Sequence, residues 1–165
     1  HACVATAIYT GLRKGELCGL RWSDLDLQAG RMTVARSFGG SPKSNRPRPL
    51  RIPDALQPVL TRWSGDCPRT REGLLFPRRR RGGWQMAPHS GEMLGLPALI
   101  QAAGLRRLAR PWHALRHTFA SHYMMAGGSL LALAQILGHA DIKMTMVYAH
   151  LAPDFIAAEM NRIRF

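Results

Sequence analysis

Glycines and prolines divide the second half of the chain into helix-length segments, and this spacing constrains the fold more than any other feature. From residue 90 onward, apolar residues recur at helical intervals between these breaks. The predicted helices cover roughly residues 90–103, 112–126, 129–137, 141–149 and 153–164. The breaks fall at Gly104, Gly127-Gly128, Gly138 and Pro153. The pattern therefore predicts a domain that is mainly α-helical.

The first third of the chain adds a small antiparallel β-sheet, which makes the predicted fold class α+β. Two short helices are expected over residues 1–10 and 14–20, with a strand between residues 22 and 37. The returning strand over 49–53 is expected at the sheet edge because prolines interrupt it. Asp54 is expected to cap a helix that ends near Trp63, and a polar, arginine-rich loop follows.

Length and composition predict one globular domain. The chain has 165 residues, of which 46% are hydrophobic, enough for a core. It contains no apolar run of membrane-spanning length and no export signal, and three widely spaced cysteines do not suggest a disulfide framework. These features predict a cytoplasmic protein. The first helix starts without a capping signal, so we expect an upstream part to be absent.

The net charge predicts a polyanionic partner. The 23 Lys and Arg residues outnumber the 10 Asp and Glu residues, which gives a formal charge of +13. Twenty of the 23 cations are arginine, whose planar guanidinium binds phosphate through paired hydrogen bonds. A GC-rich genome also enriches arginine, so the Arg/Lys ratio has two explanations.

Four local motifs contain residues suited to chemistry. They are T-G-L-R-K-G-E-L at 10–17, a lysine at 43, H-A-L-R-H at 113–117, and a segment that runs from the glycine at 138 to the tyrosine at 148. Each alone has an ordinary structural explanation. His113 and His117 also have the spacing of a zinc-binding helix, but the acidic residue of such motifs is replaced by Ala114.

Together the motifs are far more specific. The blocks T-G-L-R-x-x-E, H-x-L-R-H-T-F-A-S and L-G-H…T…Y-A-H occur in this order, with L-F-P at 75–77. Over roughly residues 10–151 the sequence resembles the tyrosine recombinases, the phage-integrase family. The resemblance implies a tyrosine-recombinase catalytic-domain fold, with residues 1–165 as a single catalytic domain that lacks the upstream DNA-binding domain. It also implies site-specific DNA recombination through a 3′-phosphotyrosyl intermediate, without metal or other cofactor.

The resemblance assigns four residues to the scissile phosphate. Arg13 and Arg116 would clamp the non-bridging oxygens, and His113 and His139 would add hydrogen bonds. His113 is also the residue expected to help move the tyrosine proton.

Three further residues complete the implied site. Tyr148 would be the nucleophile, and Lys43 would donate a proton to the leaving oxygen. Lys43 is the weakest match because its hairpin is rich in proline; Arg46 or Arg48 would occupy nearby space, although arginine is a poor proton donor. Glu16 would orient Arg13 rather than take part in the chemistry.

Double-stranded DNA is the partner that the resemblance implies. DNA contacts are expected from Arg78, Arg79, Arg80 and Arg81, although a solvated loop is the alternative. The amphipathic segment 153–165 is expected to pack on a neighbouring protomer, as in a homotetramer on DNA, or on its own domain, and a monomeric isolated domain stays open.

A prophage or mobile-element integrase, associated with the nucleoid, is the expected source of such a domain. The alternatives are a Xer-like chromosome-dimer resolution recombinase, a type IB topoisomerase, a non-catalytic DNA-binding module and a zinc-dependent hydrolase.

Overall fold

The computed structural model describes residues 2–38, 40, 47–80, 83–86 and 95–153. Its helices are α1 (Ala2–Thr10), α2 (Lys14–Gly19), α3 (Gln57–Asp66), α4 (Leu96–Ala102), α5 (Pro111–Met125), α6 (Leu130–Leu137) and α7 (Lys143–Met146). Its strands are β1 (Leu25–Asp26), β2 (Arg31–Val34), β3 (Arg48–Arg51), β4 (Pro77–Arg80) and β5 (Gly83–Met86). Short 3-10 turns span Trp22–Asp24 and Ala149–Leu151. The predicted class, mainly α with little antiparallel sheet, is confirmed.

The first sheet has the order β1-β2-β3, with both pairs antiparallel. In β2, Met32 and Val34 are buried while the residues between them are exposed, the alternation expected of a sheet with one face on the core. The proline-containing strand β3 lies at the edge, with Pro49 opposite Thr33, as predicted.

The predicted start of the third helix is wrong. Helix α3 begins at Gln57, and Leu56 rather than Asp54 occupies the N-cap position. The Leu56 amide already donates to the Pro53 carbonyl (2.8 Å), so the chain makes a turn first, and Pro58 lies in the first helical turn. Asp54 lies within that preceding turn.

The predicted arginine-rich loop is a hairpin, which corrects the interpretation of this segment. Strands β4 and β5 pair antiparallel, with Arg78 opposite Gln85 and Arg79 opposite Trp84. Arg78 and Arg79 therefore belong to a second, two-stranded sheet, as does the backbone of Arg80, while Arg81 lies outside the described residues. Arg80 lies opposite Gly83, so only two residues connect the strands, a common length for a hairpin connection.

Within the described residues, two apolar clusters form the core. The larger one joins α1, α2, the first sheet and α3, with fully buried leucines at its centre; among them are Leu17, Leu56 and Leu60. The smaller one joins α5, α6 and the ring of Tyr148. Gly11 lies where they meet: it has φ +62°, and a Cβ there would stand 2.4 Å from Phe119 Cδ1. Only glycine fits this close approach.

The remaining helices are separated at the glycines where the sequence predicted breaks. Ser129 caps α6, and Gly138, with φ +64°, ends it in the left-handed conformation. The helix predicted over 141–149 is shorter than expected: α7 ends at Met146, and a 3-10 turn follows Tyr148. The predicted helix over 153–164 and the first residues of the one over 90–103 lie outside the described residues. In the part of the chain that is described, no helix is long and apolar enough to cross a membrane.

Candidate active site

The residues of three sequence motifs meet where the N-terminus of α2, helix α5 and the C-terminus of α6 come together. Arg48 of β3 and Tyr148, in the turn that follows α7, also contribute side chains to this site. The side chains brought together are Arg13, Glu16, Arg48, His113, Arg116, His117, His139 and Tyr148. Lys43 lies outside the described residues, so its place in the site stays a prediction.

Arg116 is held from three directions. It is 5% exposed, and its guanidinium donates to the Gly11 and Leu137 carbonyl oxygens at 2.8 Å each. Its Nη2 also lies 2.9 Å from His139 Nε2. Burial, and then the charge of Arg13, lowers the pKa of Arg116 to about 10. The guanidinium is therefore still cationic at neutral pH and has a fixed orientation.

The contact with Arg116 defines the role of the His139 ring. Arginine has no acceptor, so His139 Nε2 accepts, and the proton lies on Nδ1, which donates to Thr145 Oγ1 at 2.7 Å. Burial and the neighbouring Arg116 charge lower the pKa of His139 to about 4. His139 is thus neutral at pH 7, and in this arrangement it orients Arg116.

Arg13 shares an anchor with Arg116. Its Nη1 donates to the carbonyl oxygens of Leu137 (3.1 Å) and Gly138 (3.3 Å) and lies 3.4 Å from Glu16 Oε1. Both guanidiniums therefore meet the last carbonyl groups of α6, the end of a helix that attracts positive charge. This is how one helix terminus holds two cations side by side.

Glu16 has a stronger partner than the predicted one. It receives two hydrogen bonds of 2.9 Å from Arg48, whose Nε also donates to the Ile136 carbonyl. Glu16 also accepts from the Arg13 amide at 2.8 Å, which closes the first turn of α2. Burial alone raises the pKa of Glu16, but the hydrogen bonds and charge of Arg48 outweigh it, and the pKa lies below its usual value.

Sequence reasoning placed Arg48 only near the expected lysine and did not assign it to Glu16. The alternation of β3 carries the one available signal, since Arg48 is its buried residue. A buried carboxylate needs a cation, and Arg48 is 9% exposed against 1% for Glu16.

Tyr148 is buried, and its hydroxyl meets a residue that the sequence analysis considered only for zinc. The hydroxyl oxygen lies 2.6 Å from His117 Nδ1, and the ring is 7% exposed. Burial raises the pKa of Tyr148, while the nearby Arg116 charge opposes this rise.

His113 stands beside the same histidine. The rings of His113 and His117 meet edge to face, with centroids 4.4 Å apart. Burial, and then the charges of His117 and Arg116, lowers the pKa of His113. Among the described residues, no group of three or more His, Cys, Asp or Glu side chains is arranged to hold a metal ion.

A cleft of about 1460 Å³ opens beside these side chains. Its lining includes the basic residues Arg13, Lys14, Arg78, Arg107, Arg110 and Arg116, and His113. Arg79, on the same hairpin as Arg78, is exposed. No acidic residue belongs to the described lining, so the cleft, which Arg116 also lines, suits an anionic ligand.

Comparison with known proteins identifies the class. The sequence profile of the phage integrase family matches residues 1–154. The chain belongs to this family.

Three relatives show how far the similarity extends. The tyrosine recombinase XerC of Xylella fastidiosa strain M23 is 35% identical over 144 residues, which are 86% of this chain and 45% of that protein. A putative integrase of Pseudomonas phage Pf1 is 54% identical over 61 residues, 37% of this chain and 18% of that protein. A solved structure of the Tn1549 transposon integrase with transposon right end DNA has 28% identity and a TM-score of 0.75, covering 98% of this chain and 57% of the other. The chain therefore spans about half the length of XerC and of the Tn1549 integrase, although most of the chain matches each of them.

Proposed function

We propose that this chain is the catalytic domain of a site-specific tyrosine recombinase that cuts and rejoins double-stranded DNA through a 3′-phosphotyrosyl intermediate. The observation that carries the proposal is the Tyr148 hydroxyl in the same site as the immobilised Arg116 guanidinium. A phosphodiester in attack develops additional negative charge on its non-bridging oxygens, and fixed cations stabilise that charge without reorganising.

Each residue has a distinct part in this chemistry. Arg13 and Arg116 bind the non-bridging oxygens, and His113, at the exposed edge of the site, adds a hydrogen bond. Tyr148 attacks phosphorus, its Oη–P bond forms, and the bond from phosphorus to the 5′-oxygen breaks. Lys43 protonates that oxygen. The phosphotyrosyl bond keeps the energy of the cleaved bond, so a second 5′-hydroxyl rejoins the strands without nucleotide hydrolysis.

Integration or excision of a mobile element is the function that we favour for the whole protein. The 54% identity to a phage Pf1 protein and the similarity to a transposon integrase both support it. The XerC similarity covers more of the chain, and so chromosome-dimer resolution is the second candidate. We further propose assembly as a homotetramer on DNA, in which Arg78 and Arg79 contact the duplex backbone, and a cytoplasmic, nucleoid-associated location.

A selection for covalent adducts tests the activity whatever the sequence of the target site. The chain is incubated with a pool of nicked duplexes of randomised sequence, from which a short 5′-hydroxyl fragment is lost after cleavage. Detergent-resistant protein–DNA adducts are purified and the bound strands sequenced. We expect wild type and Tyr9→Phe to form adducts and Tyr148→Phe to form none; Tyr9 is a suitable control because it is exposed on α1.

The same substrates separate the candidates. Recovery of one enriched sequence supports a site-specific recombinase. Relaxation of a supercoiled plasmid that lacks this sequence would instead indicate topoisomerase activity. Adducts that persist in Tyr148→Phe, or no adduct at all, would contradict the proposed chemistry.

A further inference from the structure

The nucleophile's hydroxyl group is in contact with a histidine outside the set that the family resemblance assigns. Tyr148 Oη and His117 Nδ1 are 2.6 Å apart, although they are 31 residues apart in the chain. Their ring centroids are 5.6 Å apart and the rings are tilted by 52°, so the contact is made by the hydroxyl edge and not by stacking. The packing of α5 against the turn after α7 creates this pair.

Among the described residues of the site, few others could accept the tyrosine proton. Both His139 nitrogens are engaged, one by Arg116 and one by Thr145. Glu16, the buried carboxylate, is paired with Arg48. His117, by contrast, has Nδ1 at hydrogen-bond distance from the reacting oxygen, and in the tautomer with the proton on Nε2 this nitrogen accepts from the Tyr148 hydroxyl, which is the geometry required of a general base.

We propose that His117 Nδ1 is the proton acceptor for Tyr148 during strand cleavage. This inference rests on the proposed function and deepens it. In the step, the Tyr148 O–H bond breaks and its proton moves to His117 Nδ1, while Oη bonds to phosphorus. The bond from phosphorus to the 5′-oxygen breaks, and that oxygen takes a proton from the general acid of the site. In the rejoining step, the proton on His117 returns to Oη as the tyrosine leaves.

A nearby cation makes the tyrosine proton easier to lose. Burial raises the pKa of Tyr148, and the charge of Arg116, which lies on the same helix as His117, opposes that rise and so favours the phenolate that must form. His113, the residue that the sequence suggested for this transfer, contacts the His117 ring edge-on instead. Its place is therefore beside the base.

The first test measures the rate of adduct formation on the sequence enriched by the selection described under the proposed function. His117→Asn keeps an amide near the position of Nδ1 but has no basic nitrogen, and His122→Asn is the control, since His122 is an exposed histidine on the same helix. We expect His117→Asn to slow adduct formation by about 10² to 10⁴-fold, the range of general-base catalysis, and His122→Asn to stay within about twofold. A His117→Asn rate within about threefold of wild type would overturn the proposal.

The second test separates a base from an acid. In a 5′-bridging phosphorothiolate duplex the leaving group is a thiolate, which needs no proton. If His117 is the base, its variant is equally defective on the sulfur and the oxygen substrate. Recovery of the rate on the sulfur substrate would assign His117 to the leaving group and overturn the proposal.

A third measurement needs no DNA, so it remains decisive even if the proposed function fails. Nitrogen-15 NMR of the imidazole groups reports the hydrogen bond at Nδ1 of His117 in wild type and in Tyr148→Phe. We expect the His117 Nδ1 resonance to shift when the hydroxyl is removed, with the resonances of His122 unchanged. If no shift occurs, the contact does not exist in solution, and the assignment of His117 is wrong independently of any activity.

Discussion

Replacing Arg48 with leucine removes the charged partner of a buried carboxylate. Glu16 is 1% exposed, and its shortest contacts with another side chain are the two 2.9 Å bonds from this guanidinium. Loss of one partner of a buried pair costs about 3–5 kcal/mol, and Glu16 would keep only the longer 3.4 Å contact with the Arg13 guanidinium as a charged partner. For a domain of this size, the loss corresponds to a decrease in Tm of roughly 6–20 °C.

The loss of stability in Arg48→Leu is also expected to depend on pH. In the wild-type chain the pKa of Glu16 lies below its usual value, so its contribution to stability is present above the unfolded pKa of about 4.3 and declines as pH falls through the lower folded value. In Arg48→Leu the carboxylate is buried without that cation, and its pKa rises. The difference between the two proteins is therefore largest near pH 7 and shrinks in acid.

Urea unfolding followed by circular dichroism at pH 7 and pH 4 measures both effects. Arg51→Leu is the matched control, because Arg51 lies on the same strand and is exposed. The double variant Glu16→Leu, Arg48→Leu removes both charges and is expected to be more stable than Arg48→Leu alone. If Arg48→Leu and Arg51→Leu lose the same stability at pH 7, within about 0.5 kcal/mol, the pair does not hold the site together as described.

Three other predictions concern backbone, protonation and DNA. Gly11→Ala is expected to lose about 2–5 kcal/mol of unfolding free energy, because it adds a clash with Phe119 to the strain of a left-handed backbone. Gly104→Ala is the control, since Gly104 has φ +66° and open space around it, and it should lose only about 1–2 kcal/mol. Equal losses in urea unfolding would contradict the close approach at Gly11. Burial lowers the pKa of His139 to about 4 from an ordinary value near 6.5, so the unfolded chain binds this proton first and the folded chain loses stability as pH falls from about 6.5 toward 4. His139→Gln should flatten the wild-type profile of unfolding free energy between these pH values. An unchanged profile would refute this. Arg79→Ala should weaken duplex binding without changing sequence preference and reduce the slope of log K against log salt by about 1 in a fluorescence titration; an unchanged slope would exclude a phosphate contact.

Local features of the fold were predictable because they depend on neighbouring residues. Gly138 ends α6 as its position after an apolar helix indicates, and Pro49 confines β3 to the sheet edge. Asp54 and the arginine-rich segment show where local reasoning fails. The turn made by the Pro53 carbonyl competes with capping by Asp54, and strand pairing overrides the loop suggested by charge.

The site contacts that the sequence did not reveal are long-range. Arg48 donates to the Ile136 carbonyl, 88 residues away in the chain, and the sequence around either residue gives no sign of this contact. The His117–Tyr148 pair likewise depends on how α5 packs against the turn after α7. The residue types were visible in the motifs, but their pairing follows from the tertiary structure.

The position of the covalent bond in the protein–DNA adduct shows directly whether Tyr148 is the nucleophile. The adduct formed on a nicked duplex is digested with protease, and tandem mass spectrometry locates the modified residue while end-labelling identifies the free DNA end. We expect the DNA 3′-phosphate to be bonded to the Tyr148 oxygen and the released strand to carry a free 5′-hydroxyl. A phosphate attached to any other residue, or a 5′-phosphoryl linkage, would contradict it.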